Sequence, residues 1–285
     1  MPHQTGEQSS SSSRRAIVRR PVFMLSDIPD VMRSRMHWPV AAALMQRWFD
    51  SPANTMSRAV KNGEVAPWSL SPSNVDERLV SMAWAMRFGR VKTAANELLR
   101  TWNSPKGLAL LRERIARAKP PGARANWQVG NFSQPTRYLE TTCQVNIKLA
   151  GSVTDPVDEY YAAIGRGVLK LAVSGTASQR GTGYRIEVAE YGLYLRDTYD
   201  FNDDPKDWFS QFLGNWGWEG LDTSPLPRFD IGLSAQYDDV PMDRYYQVQN
   251  NDFAAYRRQY GKGGDFVIFS DLMRFRPSQP LILDV

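Results

Sequence analysis

The hydrophobic period of this chain changes at Pro120-Pro121-Gly122. Before that tripeptide apolar residues recur every three to four positions, and beyond it they alternate. A helix brings i, i+3 and i+4 to one face, whereas a strand brings i and i+2 there, so no single element satisfies both patterns. The switch predicts an α+β fold: a helical N-terminal region followed by a mostly antiparallel β domain that could close in a barrel-like way. Three segments follow. Residues 1–20, with five consecutive serines and four arginines, read as a disordered basic tail. Residues 21–122 form the helical region, and residues 123–285 the β-rich candidate catalytic domain.

Local signals set the expected elements. Pro39 near the start, Val40, Leu44, Met45, Trp48 and Phe49 at helical spacing, and Ser51-Pro52 as a stop predict a helix over 38–50. Asn74 with Glu77 three residues on resembles a capping pair, and the run from Leu79 to Leu98 predicts a long helix ending near Trp102. Ser104-Pro105 opens another helix, closed by Pro120. Period-two stretches predict strands over 142–149, 168–173 and 184–195, the last with a bulge at Gly192 and joined to its predecessor by a Gly/Ser/Thr turn over 174–183. A helix from Asn251 or Asp252 to Tyr260, stopped by Gly261, precedes short strands over 265–269 and 281–283.

Residue types narrow the chemistry. With only His3, His37 and Cys143, a His-dependent triad, a Cys/His zinc site and an internal disulfide are hard to build. Carboxylates, phenols and cations must carry any reaction in the C-terminal half. Charge is uneven: residues 1–130 hold 20 Lys/Arg against 9 Asp/Glu, and residues 131–285 hold 15 against 21. The basic half could meet nucleic acid or an anionic membrane, or its arginines could simply line solvent faces of helices. The start lacks the apolar core of a secretory signal, and no apolar run of about 18 residues is present. Synthesis in the cytoplasm without a signal peptide is the expectation.

Two constellations could carry chemistry. Arg196-Asp-Thr-Tyr-Asp-Phe-Asn-Asp-Asp204 closes the longest predicted strand, and alternation puts Asp197 and Tyr199 on one face while Asp200 turns into the loop. Asp197, Asp200, Asp203, Asp204 and Asp207 repel one another unless cations intervene. Such spacing suits Mg²⁺, with Ca²⁺ as the alternative, through Asp197, Asp200 and Asp203. It equally suits an acidic turn whose aspartates cap backbone amides. The second constellation joins Asn251-Asp252-Phe253 and Arg257-Arg258 to Gly261-Lys262-Gly263-Gly264-Asp265 and Ser270-Asp271. Its glycine amides and Lys262 could cradle a phosphate, or form a helix C-cap and a turn into a strand. It lacks the nucleotide P-loop pattern. Between them, Phe212-Leu-Gly-Asn-Trp216-Gly-Trp218 offers an apolar surface for a lipid or sugar, or a packed connection.

The Asp197-x-Tyr199-Asp200 element resembles the signature of colicin M-type toxins, which cleave the undecaprenyl pyrophosphate-linked peptidoglycan precursor lipid II. In that family the motif runs on, five residues later, into His-Arg; here Lys206-Asp207 stands in that place, so the cationic or acid/base partner must be sought among Arg257, Arg258, Lys262 and Asp265. The combination of YGLYLRDTYDFND, FLGNWG, NNDF and GGDFVIFSD is similar to an uncharacterised bacterial family encoded near type VI secretion spike proteins. These resemblances imply an antibacterial type VI effector acting in the target periplasm as a metal-dependent hydrolase of a lipid-linked pyrophosphate. Asp197, Tyr199, Asp200, Arg258, Lys262 and Asp265 would be its catalytic residues. A spike protein, a cognate immunity protein and the lipid-linked precursor at a membrane surface would be its partners. The alternative is a non-enzymatic adaptor or chaperone for a spike or effector. A nuclease ranks lower, because the acidic cluster and the basic surface lie in different halves.

Overall fold

The computed structural model describes residues 22–152, 154–203, 210–222, 246–279 and 281–285. The expected tail over 1–20, together with Asp204, Lys206 and Asp207, lies outside them. The helical region runs through α1 (Ile28–Ser34), α2 (Pro39–Asp50), α3 (Arg58–Lys61), α4 (Met82–Ala85), α5 (Gly89–Thr101) and α6 (Pro105–Ala118). Three helices lie farther on: α7 (Thr136–Thr142), α8 (Glu159–Ala163) and α9 (Asn250–Tyr260). The larger sheet contains β1 (Val75–Asp76), β2 (Trp127–Val129), β3 (Gln144–Ala150), β4 (Gly167–Arg180), β5 (Gly183–Tyr199), β9 (Phe266–Phe269), β10 (Met273–Phe275) and β11 (Leu281–Asp284). A smaller sheet holds β6 (Phe212–Gly217), β7 (Gly220–Asp222) and β8 (Tyr246–Gln249).

The fold is α+β, a helical region against a largely antiparallel sheet curled into a half-barrel. The β4–β5 hairpin is its spine, paired from Val168–Arg196 to Arg180–Gly183. β2 and β3 flank β4, while β9, β10 and β11 succeed one another along the other side of β5. Among the described strands one pairing is parallel: β1, from within the helical region, lies against β9 with Val75 opposite Val267. The two faces of the spine bury different partners. Leu169, Leu171, Leu193 and Leu195 share one large core with Leu44, Trp48, Leu98, Leu111 and Ile115. Tyr194, Ala172, Val267 and Phe269 pack on the opposite face with Met56, Leu139 and Cys143. Each such large apolar side chain contributes about 1.5–3 kcal/mol of transfer free energy.

Several local expectations are corrected. Asn74 and Glu77 do not begin a helix; Asn74 leads into β1, and the expected long helix is divided into α4 and α5. The stretch 174–183 is mostly strand, because β4 continues to Arg180. Gly192 stays in register with Ala172, and the irregularity lies between Ser174 and Gly175, where Ala189 has no partner. α7 interrupts the alternating segment just before β3. The FLGNWG stretch is strand β6, its Trp216 buried and its Phe212 exposed.

Candidate functional site

The end of β5 holds the first constellation. Pairing with β9 sets Asp197 opposite Ile268 and Tyr199 opposite Phe266. Alternation then puts Asp197 on the large-core face, in line with Leu193, Leu195 and Tyr199, and turns Arg196 to the other face beside Tyr194. Asp197 is thus a carboxyl where the pattern calls for an apolar side chain. No side chain among the described residues donates to it; its hydrogen bond comes from the backbone of Thr198. It keeps some accessible surface, yet protein crowds it closely enough for desolvation to push its carboxyl up to about 8. The nearby Asp200 adds to that rise, and the Thr198 hydrogen bond and the Arg196 charge oppose it. Partial access combined with strong desolvation describes a group at the floor of a recess.

Tyr199 forms part of the same floor. Its ring stacks on Phe266 at 5.2 Å and meets Phe201 edge-on at 5.4 Å. Its hydroxyl is buried without a hydrogen-bond partner, and burial, then the Asp197 charge, raise its pKa far above the usual phenol value. Tyr160 of α8 feels the same acid. Its phenol is raised by burial first and by Asp197 second, while its hydroxyl donates to the Ala150 carbonyl at 3.0 Å.

The remaining acids are committed elsewhere. Asp200 forms an ion pair with Lys61 of α3 and accepts from the Asn202 amide at 3.1 Å. Asn202 also donates to Asp265 Oδ2 at 2.6 Å and accepts from Arg257 at 3.2 Å. Asp203 accepts from the Gln211 backbone at 2.9 Å and from Asn250 at 2.8 Å. Burial alone would raise its carboxyl, but these bonds and one from Ser210 hold it below the usual range. Asp197, Asp200 and Asp203 therefore do not converge as one ligand set for Mg²⁺ or Ca²⁺. Among the described residues no group of three or more His, Cys, Asp and Glu is placed to hold a metal.

Asp265 is the most fully occupied of these acids. Its Oδ1 accepts from Arg257 at 2.6 Å and from the Trp48 indole at 3.0 Å, and its Oδ2 accepts from the Met56 backbone at 2.9 Å and from Asn202. The Arg257 guanidinium also lies over the Trp48 ring, 5.2 Å from its centroid, and Phe201 stacks on Phe253 at 3.7 Å. The YDFND, NNDF and GGDF segments meet here, around Trp48 of α2. They form a joint between the helical region and the sheet.

The glycine segment does not form a phosphate cradle. Gly261 adopts φ 63° and caps α9, donating to the Arg257 carbonyl. The amides of Gly263, Gly264 and Asp265 donate to carbonyls of Ser51, Trp48 and Asn54. Arg258 and Lys262 are exposed, whereas Arg257 turns inward. Asp271 accepts from the Met82 backbone at the start of α4, and Ser270 donates to the carbonyl of Asp271. Of the six expected catalytic residues, Asp197 and Tyr199 share the recess, Asp200 and Asp265 are joined through Asn202, and Arg258 and Lys262 stand apart on the surface. Sequence reasoning missed Lys61, 139 residues from its carboxylate. No spacing rule connects the two; only the basic balance of the N-terminal half hinted at a cation from there.

Residues 23–285 match a family described as a family of unknown function, DUF6402. The matched stretch takes in the helical region, both sheets and the Asp197 recess. The chain belongs to the DUF6402 family. No curated protein and no solved structure matches it. Membership in DUF6402 carries no link to secretion spikes or to colicin M-type toxins. The chemistry of this DUF6402 chain must therefore be argued from Asp197. A neutral carboxyl at pH 7 can donate a proton to an oxygen that is gaining charge, which an ordinary surface aspartate cannot do.

Proposed function

We propose that this DUF6402 chain is an antibacterial effector delivered by a type VI apparatus, hydrolysing a lipid-linked pyrophosphate precursor in the target periplasm with Asp197 as proton donor. One observation carries the reading: Asp197 is a desolvated carboxyl with no side-chain partner among the described residues, in a cluster whose other described acids are all engaged. Structural aspartates acquire partners, and an unpaired one at the floor of a recess fits a chemical role better. In the proposed step water adds to the phosphorus next to the lipid and the phosphorus–oxygen bond to the lipid breaks. The Asp197 proton passes to the departing oxygen while the added water gives up a proton to solvent, releasing the lipid alcohol and the pyrophosphoryl sugar. Asp197 then regains its proton from solvent. Desolvation by the surrounding protein keeps Asp197 neutral, and Asp200, paired with Lys61, adds to that effect. No step is assigned to Mg²⁺ or Ca²⁺, because the expected ligands do not gather.

The test is release of pyrophosphoryl sugar from purified lipid II, with and without Mg²⁺. Wild type should turn over, and Asp197→Asn should lose on the order of 10²-fold or more, the usual contribution of a positioned acid. An inert wild type, or a fully active Asp197→Asn, rules the reading out.

A second reading, the adaptor or chaperone for a spike or effector, is favoured by the commitment of Asp200, Asn202, Asp203 and Asp265 to holding elements together. On that reading Asp197→Asn leaves delivery and killing by the neighbouring effector unchanged.

A further inference from the structure

On the face of the sheet away from Asp197, cross-strand register lines up two rows. Ile147, Lys170 and Tyr194 are mutual neighbours across β3, β4 and β5; Leu149, Val168, Arg196 and Phe269 continue the same face out to β9. The inner part is charged, and most of its cationic N–H groups meet neutral carbonyls instead of carboxylates. Arg114, Lys170 and Arg196 are buried there with one carboxylate, Glu140. Glu140 Oε1 pairs with Lys170 at 2.7 Å and with Arg196 Nε at 3.3 Å, the latter without hydrogen-bond geometry. Arg196 donates its other N–H groups to the carbonyls of Val60 at 2.9 Å and Lys61 at 3.4 Å. Among the described residues Glu140 Oε2 and the Tyr194 hydroxyl have no hydrogen bond. Arg114 spends its guanidinium on the carbonyls of Glu140, Thr141 and Gln144. Lys170 has two further N–H bonds beyond the one to Glu140. The outer part is apolar and open: Ile147 is 53% exposed, Leu149 54%, and Val168 half-buried.

We propose that this face binds an amphiphilic anion, a single apolar chain ending in a phosphate or carboxylate. The chain would lie along Ile147, Leu149 and Val168 and the head would reach Lys170. Charge complementarity selects the occupant. Three cations against one carboxylate in a desolvated place favour an added anion, and the adjoining aliphatic side chains favour an apolar tail over an inorganic ion. A neutral lipid would leave the cationic excess untouched, and free phosphate would leave the aliphatic strip in water. Burial of Lys170, which depresses its pKa against the pull of Glu140, is consistent with a cation short of counter-charge. The inference does not rest on the hydrolase reading, since Asp197 faces the other way.

The experiment is calorimetric titration of the full chain with monomeric dodecyl phosphate, with dodecanoate, inorganic phosphate and dodecyl maltoside as parallel arms. Both anionic amphiphiles should bind, with dodecyl maltoside and inorganic phosphate weaker by about tenfold or more. Ile147→Ser combined with Leu149→Ser should weaken dodecyl phosphate about tenfold while leaving the circular dichroism intact, because both side chains already face water. Lys170→Gln should do the same, and Asp197→Asn should bind as wild type. Dodecyl maltoside binding as tightly as dodecyl phosphate, an unaffected double variant, or no binding of dodecyl phosphate would each overturn the proposal.

Discussion

Asp197 lies at the end of β5 and Asp265 just before β9, the strand paired with it, yet the two acids are treated in opposite ways. Asp265 is 1% exposed and takes four hydrogen bonds, from a guanidinium, an indole, a backbone amide and a side-chain amide. Among the described residues Asp197 has only the backbone of its neighbour Thr198. Burial is therefore not what marks a functional acid here. The difference is whether the fold supplies charge and donors to meet it, and for Asp197 it supplies desolvation with one backbone amide. One aspartate holds the structure together; the other is held by it.

The largest effect expected from breaking this comparison is at Asp265. Asp265→Ala leaves Arg257 half-buried without its carboxylate and empties the acceptors used by Trp48, Met56 and Asn202. Loss of one partner of a buried pair predicts about 3–5 kcal/mol of destabilisation, read by urea unfolding. Asp265→Asn should recover only part of it, because its amide would point donors at the Met56 amide or at Asn202. A loss below about 1 kcal/mol would move Asp265 out of the structural class.

At Asp197 the same kind of substitution should act in the opposite sense. A folded pKa of about 8 against an ordinary value of 3.8 means that the folded protein holds a proton which the unfolded chain releases. Stability then falls as pH rises from about 4 to about 8, by at most about 1.4 kcal/mol per pH unit, and levels off above that window. Asp197→Asn carries no such proton. Its stability should match wild type below about pH 4 and exceed it by a growing margin as pH rises towards 8. Identical pH profiles for the two proteins would show that Asp197 ionises normally and would remove the distinction from Asp265.

The sequence made part of this contrast readable. Alternation along β5 assigned Asp197 and Tyr199 to one face and carried Asp200 away from it, since strand geometry is local. Ser104 as the N-cap of α6 and Gly261 as the left-handed cap of α9 were legible for the same reason. What could not be read was supplied by distant segments. Val75-Asp76 looks like the entry to a helix until β9 offers it a parallel partner. Trp48 of α2, Met56 of the loop after it and Arg257 of α9 all reach Asp265, and nothing in GGDF signals that its acid will be filled rather than free. The glycines of that segment read equally well as an anion cradle, because a glycine permits both; the carbonyls of Ser51 and Trp48 decided between them.

Asp200 stands between the two extremes and gives the smallest of the expected effects. It has one cation, Lys61, and one amide, and the lysine side chain is 27% exposed. An ion pair in that position contributes about 0–1 kcal/mol, because solvent screens it and two side chains must be ordered to make it. Lys61→Met should therefore lower stability by no more than about 1 kcal/mol. It should also raise the apparent pKa of Asp197 slightly, since Asp200 would then face its neighbouring acid without a counter-charge. The shift is readable by NMR of the Asp197 carboxyl. A stability loss nearer that of Asp265→Ala would place Lys61 and Asp200 within the structural joint. A small stability loss with a displaced Asp197 titration would instead make the pair part of the recess, tuning an acid that has no side-chain donor among the described residues.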